Sequence, residues 1–82
     1  MSVEQQVRRV LGDVLSLGDR AERLTRSSAL LGAIPELDSM AVVNVIAALE
    51  DQFGFTVNDD EISGETFATV GSLVDFVMAK TT

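Results

Sequence analysis

The feature that most restricts how this chain can fold is residues 39–53, SMAVVNVIAALEDQF, which contain neither glycine nor proline. Apolar residues recur in this stretch at the spacing of one helix face, namely Val42, Ile46, Leu49 and Phe53. The spacing predicts an α-helix with one buried side, and Gly54 is a typical residue for its end. Such a side must be covered by other elements, so the chain requires further helices or a sheet.

Two other stretches repeat the helical spacing. Residues 3–17 predict a first helix, for which Gly18 is a suitable stop. Its apolar face comprises Val3, Val7, Val10, Leu11, Val14 and Leu15. Residues 70–80 predict a last helix, with Thr69 as its N-cap. The apolar face of that helix comprises Val70, Leu73, Val74 and Val77.

The remaining segments are predicted to be connections. The long one at residues 19–37 has four apolar side chains that we expect to attach it to the core: Leu24, Leu30, Leu31 and Ile34. After Gly54, Asn58 or Asp59 could cap a single turn around residues 60–62. Only residues 55–57 hint at a strand. We therefore predict one all-α domain over residues 1–82, a small four-helix bundle of three main helices and one short helix.

The composition excludes several functional classes. The chain has no cysteine and no histidine, so it lacks a thiolate nucleophile, the commonest general base and the commonest metal ligand. Its six glycines match neither a dinucleotide fingerprint nor a P-loop. The acidic stretch NDDEISGE lacks the ligand spacing of a calcium loop. These absences predict a non-catalytic protein without a metal site.

The charge is unevenly distributed along the chain. Residues 1–36 carry five acidic side chains and five arginines, so the whole net charge of −7 lies in residues 37–82. This distribution would repel nucleic acid and attract basic protein partners. No stretch reaches the 18 or more apolar residues of a membrane span, and the N-terminus does not resemble a signal peptide. We expect a cytoplasmic monomer.

Asp38 and Ser39 precede the predicted central helix and have two possible roles. Either side chain could cap the helix by accepting a hydrogen bond from one of its first backbone N–H groups. A capping box is incomplete for both, because Ala41 and Val42 stand where a glutamate or glutamine would be needed. The other role of a helix N-terminus is to hold an anion, such as a phosphodiester formed on the Ser39 hydroxyl.

A second apolar strip lies on the same helix, away from the predicted core face. Met40, Val43 and Ala47 form it, and polar or acidic residues flank it, among them Asp38, Glu50 and Asp51. One interpretation is that the helix is buried on both sides. The other is that the strip is exposed and serves as a docking site for a partner protein.

The stretch LDSMAVVNVIAALEDQFG resembles the signature of acyl carrier proteins, in which Asp-Ser-Leu or Asp-Ser-Met opens the second helix. The run from Leu49 to Phe53 is similar to the end of that helix in the family. TFATVGSLVDFV is similar to the entry into the last helix. The lead-in GAIPELDSM looks most like stand-alone bacterial carriers.

The resemblance implies a specific function. Ser39 would carry 4′-phosphopantetheine, transferred from coenzyme A by a phosphopantetheinyl transferase, and acyl groups would be held as thioesters on the terminal sulfur of this arm. Partner enzymes with basic docking surfaces would include an acyl-activating ligase and an acyltransferase or synthase, as in fatty acid or polyketide biosynthesis. By the same resemblance the recognition residues would be Asp38, Met40, Val43, Ala47, Glu50 and Asp51.

Two alternatives remain open from the sequence. The chain could be an aminoacyl or peptidyl carrier of a nonribosomal-type pathway. The cargo is attached to the arm, so no residue of the sequence discriminates between the two kinds of carrier. It could also be a helical adaptor without a prosthetic group. The sequence departs from the common carrier pattern at Leu37, where many members have glycine, and at Ala41 and Asn44, where acids are frequent.

Overall fold

The computed structural model describes residues 2–35 and 37–81. Within these residues the chain is helical, and its β-structure is limited to one isolated antiparallel bridge between Ala29 and Thr69. The elements in chain order are α1 (Val3–Val14), a 3-10 helix (Gly18–Arg23), α2 (Ser39–Phe53), a second 3-10 helix (Asp59–Glu61) and α3 (Val70–Thr81). The predicted all-α fold is confirmed, and the short helix lies one residue earlier than expected. The 3-10 helix at Gly18–Arg23 was not predicted.

α1 begins with a capping box and ends earlier than its apolar pattern predicts. The Ser2 hydroxyl accepts a hydrogen bond from the Gln5 backbone N–H at 3.2 Å, and the Gln5 side chain accepts one from the Ser2 backbone N–H at 3.0 Å. The helix stops at Val14, because Ser16 already adopts the left-handed conformation with φ 54°. Both Leu15 and Leu17 are buried around this turn.

α2 has the predicted bounds, but its buried face is shifted. Gly54 ends it in the left-handed conformation with φ 75°, and its N–H donates to the Glu50 carbonyl at 2.8 Å. The buried side chains are Val45, Ile46 and Leu49. Val42 and Phe53 were predicted in the core and are only half-buried. α2 packs on α1, and its buried face includes Val45, which the apolar spacing did not predict.

α3 begins at Val70, with Thr69 in the predicted position of its N-cap. The Thr69 hydroxyl accepts a hydrogen bond from the Ser72 N–H, and the Ser72 hydroxyl accepts one from the Thr69 N–H, both at 3.0 Å. This reciprocal cap satisfies two backbone donors at the start of the helix. α3 packs on α1 through a fully buried face.

The long connection between α1 and α2 is attached to the start of α3 by backbone hydrogen bonds. Leu30 donates to the Ala68 carbonyl at 3.0 Å, and Gly71 donates to the Arg26 carbonyl at 2.8 Å. Leu30 is fully buried, as predicted, whereas Leu24 and Ile34 are half-buried. The prediction for Leu31 was wrong, because its side chain is 43% exposed.

The core is formed by all three α-helices together with leucines of the connection and one aromatic ring. Phe67 is its largest buried side chain, at 1% exposure. No buried polar or charged side chain occurs among the described residues. The buried set comprises Val7, Val10, Leu11, Leu15, Leu17, Leu30, Leu37, Val45, Ile46, Leu49, Phe67, Val70, Leu73, Val74 and Val77.

Candidate functional site

The start of α2 is capped by Asp38 and not by Ser39. Asp38 has an extended backbone, and its Oδ1 accepts a hydrogen bond from the Ala41 backbone N–H at 2.8 Å. The Val42 N–H donates to the Asp38 carbonyl at 2.9 Å, which is the first bond of the helical ladder. Asp38 therefore fills the capping role that the sequence left open between two residues.

Ser39 is the first residue of α2, and its side chain is exposed. Among the described residues none forms a hydrogen bond with its hydroxyl, since Asp38 already caps the helix. The backbone N–H groups of Ser39 and Met40 likewise have no acceptor within the described part of the chain. Unpaired N–H donors and the positive end of the helix dipole favour an anion beside this hydroxyl, by about 0.3–1 kcal/mol when exposed.

A groove of ≈ 430 Å³ opens beside Ser39. Part of its lining comes from the start of α2 and the residues before it, and another part comes from the segment that follows the second 3-10 helix. Its lining is mostly apolar and comprises Leu31, Leu37, Asp38, Ser39, Val42, Ile62, Ser63, Gly64 and Phe67. The groove accounts for two departures from expectation, the exposure of Leu31 and the half-burial of Val42.

Leu37 occupies the position where many carriers have glycine. Its side chain is 5% exposed and lines the groove two residues before Ser39. A leucine here adds apolar surface that a glycine would not provide. The Leu37 side chain therefore forms part of the groove wall. Of the other two positions that differ from the common carrier pattern, Asn44 is exposed on α2 and Ala41 is half-buried.

The second apolar strip on α2 is exposed, as one of the two interpretations of the sequence required. Met40 is 67% exposed and Val43 is 59% exposed, and Ala47 is exposed as well. Asp38 and Asp51 are also exposed, whereas Glu50 is half-buried. We call these six residues the α2 surface: Asp38, Met40, Val43, Ala47, Glu50 and Asp51. It is an apolar strip with acidic flanks that begins next to Ser39.

Glu50 differs from the other acidic residues of the α2 surface. Its Oε2 accepts a hydrogen bond from the Val57 backbone N–H at 2.7 Å, across the turn at Gly54. Periodicity gives no sign of this contact, because it depends on how the chain reverses direction after α2.

The second 3-10 helix is joined to α3 by an ion pair. Lys80 Nζ lies 2.7 Å from Glu61 Oε2, and the Asn58 side-chain amide donates to Glu61 Oε1 at 3.1 Å. The hydrogen bond from Lys80, followed by its positive charge and the bonds from Asn58, lowers the pKa of the Glu61 carboxyl below its usual value. This pair helps to fix the segment that supplies one side of the groove.

The described residues hold no group of three or more histidine, cysteine, aspartate or glutamate side chains arranged to bind a metal ion. None of the described helices is long and apolar enough to cross a membrane. The Ser39 hydroxyl also has no general base or hydrogen-bond partner among these residues to activate it. What the arrangement offers is an accessible hydroxyl that another enzyme can modify.

Comparison with known proteins gives two findings. A family model described as "Phosphopantetheine attachment site" matches residues 5–77 of the chain. A solved structure, the holo acyl carrier protein from Nitrosomonas europaea determined by solution NMR, is 64% identical to this chain. The match covers 98% of this chain and 96% of that protein, with a TM-score of 0.90.

Proposed function

Because the chain belongs to the family of acyl carrier proteins that have a phosphopantetheine attachment site, we propose that Ser39 is the residue to which the prosthetic group is attached. The observation that carries this proposal is the exposed Ser39 hydroxyl at the start of α2, which is left without a hydrogen-bond partner among the described residues because Asp38 caps the helix. The protein itself is a non-catalytic carrier with 4′-phosphopantetheine as its cofactor.

The attachment is a phosphoryl-group transfer in which the carrier supplies the nucleophile. The Ser39 oxygen attacks the phosphorus of coenzyme A that bears the pantetheine moiety. The new bond joins serine oxygen to phosphorus, the bond to the other phosphate breaks, and 3′,5′-ADP leaves. The serine proton would have to be accepted by a base of the modifying enzyme, since no described residue of this chain is hydrogen-bonded to the Ser39 hydroxyl.

The residues around Ser39 fit such a group. The product is a phosphodiester with one negative charge, which the exposed N–H donors and the helix dipole at the start of α2 favour. Asp38 adds a like charge nearby, but its carboxylate is already engaged by the Ala41 N–H. When bound, the group supplies the thiol that the chain lacks, and acyl groups are attached to that thiol as thioesters.

The α2 surface is the proposed docking site for partner enzymes. Family membership implies two kinds of partner, a phosphopantetheinyl transferase and enzymes that load or use acyl groups. Met40 and Val43 offer exposed apolar contact beside Ser39, and Asp51 offers an exposed carboxylate for a basic partner surface. A cytoplasmic location and a monomeric state remain predictions.

Intact-mass spectrometry tests the attachment residue. The purified apo protein is incubated with coenzyme A and a broad-range phosphopantetheinyl transferase, and the expected gain is one phosphopantetheine. Ser39→Ala should abolish the gain. Ser63→Ala is the matched control, because Ser63 lines the same groove and has an exposed hydroxyl. A gain that persists in Ser39→Ala, or that disappears only in Ser63→Ala, would refute the assignment.

A further inference from the structure

Residues 55–66 lack main-chain attachment to the helices in the part of the chain that the structure describes. Their backbone–backbone hydrogen bonds are local: Glu61 donates to the Asn58 carbonyl, Thr66 to the Ser63 carbonyl and Ala68 to the Glu65 carbonyl. The main-chain bonds to the rest of the molecule resume at Phe67, whose carbonyl accepts from the Leu31 N–H. The position of the segment therefore depends on side chains.

Side-chain bonds hold this segment near its start, its middle and its end. The Glu50 carboxylate binds the Val57 N–H, Lys80 binds the Glu61 carboxylate, and the Ser72 hydroxyl donates to the Thr66 carbonyl at 2.9 Å. The apolar side chains of Phe55, Val57 and Ile62 add partial burial against the core. Glu50 provides the first of these bonds after the helix-ending Gly54, and it alone among them lies on the α2 surface.

The segment matters because its last part is a wall of the groove beside Ser39. Ile62, Ser63 and Gly64 line that groove, together with Leu37 and Val42. Val57 is separated by one residue from the 3-10 turn at Asp59–Glu61, which leads directly into Ile62. A loss of the bond at Val57 would therefore loosen the groove wall.

We propose that Glu50 is a positioning residue for the groove wall, so that one carboxylate serves both the α2 surface and the groove beside Ser39. Its half-buried bond to Val57 has a charged acceptor and a distance of 2.7 Å, the features of a strong hydrogen bond. Asp51, its neighbour on the same surface, is exposed, and its side chain has no hydrogen bond or ion pair with the described residues. The two acids therefore differ in role although they are adjacent in sequence.

Amide hydrogen exchange in the unmodified chain, followed residue by residue by NMR, tests the proposal. Glu50→Ala should speed exchange at Val57 by roughly one to two powers of ten, as expected for loss of a hydrogen bond to a charged acceptor. Exchange at residues 62–64 should rise as well. Glu50→Gln keeps an acceptor oxygen and should restore much of the protection, whereas Asp51→Asn should leave these amides unchanged. The Leu73 amide in α3 reports global unfolding.

A neutral apolar dye, Nile red, gives a second measurement, since its fluorescence rises when an apolar groove becomes accessible. Glu50→Ala should increase the fluorescence relative to Glu50→Gln and Asp51→Asn. Unchanged exchange at Val57 and residues 62–64 in Glu50→Ala would overturn the proposal. So would an equal rise at Leu73, or equal effects of Glu50→Gln and Glu50→Ala, because these results indicate a general loss of stability or an effect of charge.

This inference extends the proposed function, because the wall it concerns lies beside the proposed attachment residue. Its test nevertheless uses the chain before any modification and does not require Ser39 to react. If Ser39 proves not to be the attachment residue, Glu50→Ala can still speed amide exchange at Val57 and residues 62–64. If Ser39 is the attachment residue, Glu50→Ala can still leave that exchange unchanged. The two failures are therefore distinguishable.

Discussion

Lys80 Nζ lies 2.7 Å from Glu61 Oε2, and this ion pair joins α3 to the short turn that leads into the groove wall. Lys80 is the chain's single lysine and the only cation after residue 36. The single positive charge of the acidic part of the chain is thus paired with a carboxylate of the same chain. This leaves the carboxylates of the α2 surface without a competing lysine or arginine from that part of the chain.

The Glu61–Lys80 pair predicts a pH dependence of stability. The folded-state pKa of Glu61 lies below its ordinary value of 4.5, chiefly because Lys80 binds the carboxylate. The pair therefore stabilises the folded state above pH 4.5, and its contribution is lost as the pH falls through the lowered folded-state pKa. Melting temperatures of the wild type and Lys80→Met, measured from pH 7 to pH 3, should converge at the acid end. A constant difference would contradict the prediction.

Two replacements of Asp38 distinguish the contribution of its capping hydrogen bond to stability from the contribution of its charge. Asp38→Ala removes the acceptor for the Ala41 N–H and should destabilise the protein by about 0.5–2 kcal/mol. Asp38→Asn removes the charge but keeps a capping oxygen, so its unfolding free energy should stay near that of the wild type. Urea denaturation followed by circular dichroism measures both values. Equal losses in the two variants would show that charge, and not capping, stabilises this helix start.

Gly71 is expected to tolerate no side chain. A Cβ at this position would lie 2.8 Å from the Arg26 carbonyl oxygen, which also accepts the Gly71 N–H. Gly71→Ala must therefore displace backbone and should cost about 1–3 kcal/mol of unfolding free energy. Gly64→Ala is the control, because nothing lies within 4 Å of its added Cβ. Similar denaturation midpoints for the two variants would argue against the close approach.

Leu49 on the buried side of α2 and Val43 on its exposed side should respond differently to truncation. Leu49 is 2% exposed, and Leu49→Ala should destabilise the fold by about 2–5 kcal/mol. Val43 is 59% exposed, so Val43→Ala should change stability by about 0.5 kcal/mol or less. Denaturant unfolding measures the difference. A large loss in Val43→Ala would mean that the apolar strip is covered in solution.

Charge reversal at Asp51 tests the α2 surface as a docking site. Asp51→Lys should slow modification by a phosphopantetheinyl transferase by roughly threefold to tenfold at low salt, because steering of a basic partner is weakened. The effect should shrink as salt is added. Asp19→Lys, at an exposed acid in the first 3-10 helix, changes the net charge equally. If both variants slow the reaction alike, net charge and not the α2 surface governs the encounter.

The sequence predicts those parts of the fold that depend on local pattern. α2 has its predicted bounds because residues 39–53 contain no breaker and Gly54 takes the left-handed conformation. The end of α1 was missed because Ser16, which is not a typical left-handed residue, makes the turn. The burial of Val45 was missed because α2 is apolar on two sides, so periodicity alone cannot choose the face toward α1.

The candidate site was predicted less completely than the fold. Ser39, Met40 and Val43 are exposed where a docking and attachment site requires them, and sequence patterning is enough to bring them to one end of α2. The structural role of Glu50 and the groove wall at Ile62–Gly64 depend on contacts between segments that have no periodic signal. Such contacts follow from the path of the chain after Gly54.

The local hydrogen bonding of residues 55–66 has a consequence for how this fold can vary. Since no backbone ladder runs between this segment and the helices in the described part of the chain, added or deleted residues need not break one. Designed variants can therefore differ in length here without breaking backbone pairing. The shape of the wall beside Ser39 can change in this way while α1, α2 and α3 keep their packing, which makes the segment the natural place to engineer a different groove.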